Sequence, residues 1–388
     1  MPLPRAMDDF SRASARLRAA VQTATTGLVG REQLAELMIL AAVAREHLLV
    51  IGPPGTAKSA VVRRVASTMG GRYFEYLLGR FTEPSELFGP VDLRLLREGR
   101  VESDVTGMLP EADVAFLDEV FLGSTAVLNT LLGVLNERRY RRGHTDLACP
   151  LRICVGAANA LPEDDALAAF ADRFALRLFV EPVPDSALEA LLEGGWQSEQ
   201  APAHIHAHTG VALADLDLLA ARVPSVRLEA VRGTLADAVR TLRRAGQHLS
   251  DRRIVRSQRL VAAAAVLAGR EVATDADLWP LFYMLPTAQA QSAAREALRG
   301  TLAIAANPTL RGAVEQAALQ PVSRADRLVQ AARSCLREGG TANGADEATS
   351  RTLAEALLRE IDANFAADAL PPELAAERSR LVDHVQPA

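Results

Sequence analysis

The strongest constraint on the fold is a short apolar run, His47-Leu48-Leu49-Val50-Ile51. It turns through Gly52-Pro53-Pro54-Gly55-Thr56-Ala57-Lys58-Ser59 and resumes as Ala60-Val61-Val62-Arg63-Arg64-Val65-Ala66. A brief apolar run bounded by turn residues fits a buried parallel strand, and Val61, Val62, Val65 and Ala66 fall at helical spacing. The order strand, glycine loop, helix puts the loop at a helix N-terminus. Unpaired backbone N–H groups and the positive end of the helix dipole hold phosphate oxygens there.

Composition sharpens this reading. Lys58 is the only lysine among 43 basic residues, the others all being arginine. Arginine can replace lysine wherever a solvated charge suffices, but not where a compact ammonium must fit a space closed to a planar guanidinium. Lys58 is therefore expected to reach the β/γ-phosphates of ATP, with the Ser59 hydroxyl on Mg²⁺ and the backbone from Gly52 to Ala60 around the phosphates. Ala57 stands where the strict pattern has a second glycine, which requires a backbone already near helical φ.

Further along, Val114-Ala115-Phe116-Leu117-Asp118-Glu119-Val120 is an apolar strand ending in adjacent carboxylates, the form of a Walker B strand. Asp118 is expected to hold Mg²⁺ through water and Glu119 to polarise the attacking water. Another apolar run, 151–158, ends in Asn159, whose amide is placed to orient that water or contact the γ-phosphate. Asp172-Arg173-Phe174 precedes a last strand over 175–180, and an arginine there can serve its own site or a neighbour's.

With these motifs in place, residues 26–285 resemble the MoxR family of AAA+ ATPases, nearest its RavA-like branch. The resemblance is carried by Gly27-Leu28-Val29-Gly30-Arg31-Glu32, the GPPGTAKS loop and the blocks at 81–90 and 107–112. It continues through 128–132, 135–138, Ala158-Asn159-Ala160-Leu161-Pro162, Asp172-Arg173-Phe174 and Ser250-Asp251-Arg252-Arg253. The resemblance implies Asn159 as sensor 1, Arg173 as a finger reaching a neighbour's γ-phosphate, Arg252 as sensor 2 of the lid, and Val29 and Gly30 at the adenine. It also implies hexameric rings and a partner with a von Willebrand factor A domain.

The expected architecture is α/β, a parallel P-loop AAA+ sheet with helices on both faces and a helix-2 insert, followed by an all-α lid and a helical C-terminal region. Strands are expected near 47–51, 73–78, 114–118, 151–156 and 175–180. The divisions are an N-terminal helical segment over 1–26, the nucleotide-binding domain over 27–184, the lid over 185–289 and an accessory region over 290–388. The long connection 79–109 reads as the insert, a hairpin with a charged middle. Ser250 caps the helix that carries Arg252. His204, His206 and His208 alternate in an Ala/Pro/Gly loop without an acid or cysteine nearby, a poor metal site.

Hydrophobic residues at 49% and charged residues at 23% describe a chain that buries a core. No apolar run reaches the ~18 to 20 residues of a membrane span, and the N-terminus lacks a signal-peptide core, so a cytoplasmic protein is expected. Cys149, Cys154 and Cys335 form no disulfide framework and read as buried thiols. A net charge of -5 and an aromatic content of 4% disfavour nucleic acid. The function expected is a ring-forming, ATP-hydrolysing remodelling factor acting on a protein partner. The alternatives are a nucleotide-gated assembly scaffold, against which Glu119 argues, and a DNA-acting motor.

Overall fold

The computed structural model describes residues 4–25, 29–200 and 213–318. Beyond these it describes 328–329, 332–333, 335–336, 354–355, 357–359, 361–362, 370 and 372–385. Residues 26–28, His204 to His208 and the glycine-rich stretch 339–344 lie outside the described residues.

Two compact units make up the chain, Met1–Glu181 with Ala201–Ala318, and Pro182–Gln200 with Leu319–Ala388. The first opens with α1 (Pro4–Thr25) and α2 (Glu32–Ala44). Its five-stranded sheet is built from β1 (Leu48–Ile51), β2 (Tyr73–Leu77), β3 (Val114–Asp118), β6 (Ile153–Ala158) and β7 (Leu176–Phe179). The strand order is β2-β3-β6-β1-β7 and every pairing is parallel. The expected strands are all present.

Both faces of the sheet are covered, and successive residues of each strand serve opposite layers. Leu48, Val50, Val114, Phe116, Ile153 and Val155 join the core shared with α1, α2 and α3 (Lys58–Met69). Leu49, Ile51, Ala115, Leu117 and Cys154 join the core on the other face. That second layer includes Val127, Leu128 and Leu131 of α6 (Thr125–Glu137) and Leu87 and Phe88 of α4 (Pro84–Phe88).

The segment between β2 and β3 contains α4, α5 (Leu93–Arg97) and an antiparallel bridge between Val91 and Ser103. Phe81, just ahead of α4, is almost fully exposed. A hairpin of β4 (Arg139–Arg142) and β5 (Thr145–Ala148) follows α6, an element not expected from the sequence. Helix α7 (Asp165–Ala171) then leads to β7.

Helices α9 (Leu213–Arg222), α10 (Arg232–Arg244), α11 (Asp251–Leu267), α12 (Pro280–Tyr283), α13 (Ala288–Ala297), α14 (Arg299–Ala303) and α15 (Arg311–Ala318) complete the first unit. Ser250 caps α11, accepting from the Arg253 N–H, and residues 260–267 are wholly buried. The second unit holds α8 (Leu188–Gln200), α16 (Pro372–Val385) and a small core around Leu328, Cys335, Leu357, Leu374 and Leu381. Residues 290–318 thus fold with the first unit and α8 with the second, so neither unit edge coincides with the divisions at 185 and 290. The three cysteines are buried, and none is part of a disulfide.

Candidate functional site

The glycine loop begins where β1 ends. The Gly52 N–H donates to Ala158 O (3.1 Å), and Val180 N–H to Ile51 O (2.7 Å), so the loop starts between two adjacent strand ends. A Cβ on Gly52 would lie 2.3 Å from the Val180 carbonyl oxygen, which excludes any other residue there. Gly55 turns the loop at φ +80°. The Thr56 hydroxyl donates to Pro53 O (2.9 Å) and fixes the turn from inside.

The expectation for Ala57 is corrected by the structure. Its backbone is left-handed (φ 61°, ψ 22°), not near right-handed helical values, and it is the N-cap of α3. An L-residue there carries about 1–2 kcal/mol of steric cost. The loop keeps the αL turn that glycine ordinarily serves, and alanine bears the strain. The first helical bond of α3 runs from Val61 N–H to Ala57 O, so the amides of its first turn face out along the helix axis.

Lys58 is buried, and its Nζ donates to Gly52 O (2.6 Å) and Pro53 O (3.0 Å). Desolvation lowers its pKa, while the charges of Asp118 and Glu119 pull it back up. Asp118 is the last residue of β3, and its Oδ1 accepts from the Glu119 N–H (3.0 Å). Glu119 adopts a left-handed backbone (φ 50°), a strained conformation of the kind that clusters at functional positions. Its Oε1 accepts from Asn159 Nδ2. Because β6 pairs with both β1 and β3, Asn159 bridges the loop strand and the carboxylate strand. Lys58, Asp118, Glu119 and Asn159 therefore converge where the strands end, with Ser59 in the first turn of α3.

Arg31 is a contributor that the motifs did not reveal. This buried guanidinium donates from Nε to Thr56 O (2.9 Å), from Nη1 to Gly30 O (2.8 Å) and from Nη2 to Glu181 O (3.0 Å). It ties the phosphate loop to the Val29-Gly30 segment and to the exit of β7. Burial lowers its pKa. The only sequence signal was its position beside Gly30.

Arg173 and Arg252 lie elsewhere. Arg173 precedes β7 and is thus at the edge where strands begin, opposite the end of β1. Arg252 is exposed and donates from Nη2 to Asn136 Oδ1 (2.7 Å), at the end of α6 on that same edge. The structure brings neither to the glycine loop of its own chain. Asp172 is paired with Arg253 (2.6 Å) and not with Arg173. Arg253 is buried and also donates to Phe174 O (2.7 Å) and Met284 O, which pins α11 to the segment ahead of β7. Of the two adjacent arginines, Arg253 is thus consumed by the fold and Arg252 projects.

A family model described as the MoxR domain in the MoxR-vWA-beta-propeller ternary systems matches residues 15–221, and an AAA lid domain model matches residues 231–296. An uncharacterized protein of Methanocaldococcus jannaschii is 35% identical over 250 residues, 64% of each chain. The chain therefore spans less than two thirds of that relative's length. The chaperone MoxR1 of Mycobacterium tuberculosis is 28% identical over 179 residues, covering 45% of this chain and 47% of that one. In fold, the chain matches a crystal structure of a candidate ATPase from Cytophaga hutchinsonii. That match has a TM-score of 0.62 at 17% identity and covers 77% of this chain and 97% of the other.

Proposed function

The chain belongs to the MoxR family of AAA+ ATPases, and from that premise we propose that it is a ring-forming, ATP-hydrolysing remodelling factor acting on a protein partner. The observation that carries this reading is the separation of the arginines from the rest of the site. Glu119, held by Asn159, stands with Lys58 at the C-terminal ends of the strands, while the half-buried Arg173 and the exposed Arg252 lie at the opposite edge. A chain so built holds the base that activates water and the lysine that meets the phosphates, but no arginine finger of its own.

In this reading Lys58 exchanges its contacts with the Gly52 and Pro53 carbonyls for the β/γ-phosphates of ATP. The Gly52-to-Ala60 backbone cradles the phosphates, and Val29 and Gly30 contact the adenine. Ser59 and Asp118 are oxygen donors of the kind that suits Mg²⁺, which when bound neutralises phosphate charge. Glu119 accepts the proton of the attacking water, and Asn159 fixes its carboxylate. Arg173 and Arg252 of the adjoining subunit complete the site, the finger contributing roughly 10³ to 10⁵ in rate. A heterologous interface of this kind closes into a ring, here a hexamer.

The reading assigns nucleotide binding to residues 27–184 and lid function to the helices after them. It makes the partner a von Willebrand factor A domain protein, on the strength of the systems for which the matched family model is described. The RavA-like branch rests on the motif blocks alone. No described helix is long and apolar enough to cross a membrane, and we place the activity in the cytoplasm.

Steady-state ATPase rate against protein concentration, with sizing in ATP, tests the reading on wild type, Glu119→Gln and Arg173→Ala. Rate per subunit should rise with concentration. Both variants should lose turnover while Glu119→Gln still assembles. A rate per subunit independent of concentration, or wild-type turnover in Arg173→Ala, overturns it.

A further inference from the structure

On the edge of the sheet opposite the glycine loop, α11 and the strand beginnings line an open cavity of about 790 Å³. That is within the ~300–1,000 Å³ typical of small-molecule sites. Its charged wall is mostly arginine, and the arginines fall into two groups. Arg45 is paired with Asp217, and Arg152 with Asp113 and with Asp217 (2.8 Å), so these two are already neutralised. Arg138, Arg256 and Arg259 share a single carboxylate, Glu46, whose Oε1 lies 3.4 Å from Arg256 Nε. Arg259 is exposed and makes no salt bridge among the described residues. The wall is thus left with net positive charge.

Two polar groups in that wall are incompletely satisfied, and they are of opposite kind. Arg138 Nη1, a donor, and Glu46 Oε2, an acceptor, are both buried without a hydrogen-bond partner. Glu46 is 4% exposed, so solvent is a poor substitute for its missing donor. Arg138 is held in place from its other nitrogen, Nη2 donating to Arg45 O (2.9 Å), and by a left-handed backbone at the end of α6. An anion that only accepts would satisfy the arginines but meet Glu46 with a lone pair. A ligand that accepts at several oxygens and donates at one satisfies both. Leu135, Leu151 and the largely exposed Val255 add an apolar side to the cavity, more than a bare inorganic ion needs.

We propose that this cavity is a second ligand site, separate from the glycine loop, for a phosphate monoester. Arg138, Arg256 and Arg259 take its phosphate oxygens, Glu46 accepts the proton of its monoprotonated form, and an apolar body rests on Leu135, Leu151 and Val255. The second ionisation of such a phosphate lies near pH 6, so the monoprotonated form is available near neutrality. The carboxylate then acts as a selector, since sulfate is about as large but is a dianion that carries no proton at this pH, so it meets Glu46 with a lone pair and repels it. The assignment is independent of ATP hydrolysis and stands or falls without it.

Calorimetric titration of the full chain carrying Lys58→Ala, which disables the glycine loop, tests the proposal. The probes are phenyl phosphate, inorganic phosphate and sulfate, with the protein kept dilute enough to be monomeric by sizing. Phenyl phosphate should bind more tightly than inorganic phosphate, and phosphate roughly tenfold more tightly than sulfate, the worth of one charge-assisted hydrogen bond. Arg259→Ala, an exposed position whose change leaves the fold intact, should weaken phosphate about tenfold. Glu46→Gln, confirmed folded by its melting curve, should bring phosphate and sulfate to within about twofold. Equal affinity for phosphate and sulfate with Glu46 present, unchanged binding in Arg259→Ala, or binding seen only in ATP-assembled protein would overturn the proposal. The last outcome would assign the arginines to a neighbour's nucleotide.

Discussion

Asn159, immediately after β6, donates its side-chain N–H to the carboxylate of Glu119, immediately after β3, so two neighbouring strand ends hold one carboxylate between them. The bond limits where Glu119 can point, and a general base must be held within reach of the water it activates. Glu119→Gln is expected to lower ATP turnover by about 10² or more while nucleotide binding persists. Asn159→Ala should cost about tenfold or more in turnover with little change in binding. Single-turnover hydrolysis beside equilibrium nucleotide titration separates the two effects, and full turnover in Asn159→Ala would show that Glu119 needs no such anchor.

Ala57 offers a test of strain in the phosphate loop. Its left-handed backbone costs an L-residue about 1–2 kcal/mol, whereas glycine adopts it freely but loses ~0.5–1 kcal/mol more chain entropy on folding. Ala57→Gly should therefore raise stability by several tenths to about 1 kcal/mol, read as a shift in the urea midpoint at constant slope. A lower midpoint would mean that the methyl makes favourable contacts outweighing the strain.

What the sequence disclosed, and what it did not, follows from the range of the interactions. The five parallel strands are legible because each is a local apolar run buried on both faces. Asp118, Glu119 and Asn159 are legible because each stands at the end of such a run, and Lys58 because it follows a glycine loop and is the chain's only lysine. The β4–β5 hairpin is not, since Arg139-Tyr140-Arg141-Arg142 and Thr145-Asp146-Leu147-Ala148 show no apolar alternation to mark them. Arg31 acts on carbonyls 25 and 150 positions away, a relationship that spacing cannot express. Adjacent residues on a helix point about 100° apart, so only the tertiary contacts of α11 decide that Arg253 turns inward and Arg252 outward.

That division between Arg252 and Arg253 makes their substitutions separable. Removing Arg253 deletes a buried ion pair with Asp172 and leaves the Phe174 and Met284 carbonyls without their donor. Arg253→Met is expected to cost about 3–5 kcal/mol of stability. Arg252 gives up only an exposed contact to Asn136, so Arg252→Ala should stay within about 0.5 kcal/mol of wild type while losing ATPase activity in the assembled state. Denaturant unfolding of both variants, with ATPase assays on Arg252→Ala, checks the pair. Equal destabilisation would mean that the two guanidiniums share one structural role.

Glu36 gives the fold a pH dependence of its own. Buried on α2, its two carboxylate oxygens accept from Gly312 N–H (3.2 Å) and Ala313 N–H (2.6 Å) at the start of α15. Those bonds favour the ionised form, but desolvation outweighs them, and its pKa rises from 4.5 to about 7. A carboxyl whose folded pKa is raised binds its proton more tightly in the native state. Its contribution to stability is therefore complete below about pH 4.5 and is lost as pH rises through about 7. Glu36→Gln keeps an acceptor for the helix start and removes the titration. Between pH 5 and pH 8 the wild type should lose about 2–3 kcal/mol of stability relative to Glu36→Gln. Urea unfolding of both proteins at the two pH values measures that difference. A gap that stays constant with pH would mean that the helix N–H groups, and not burial, set the state of Glu36.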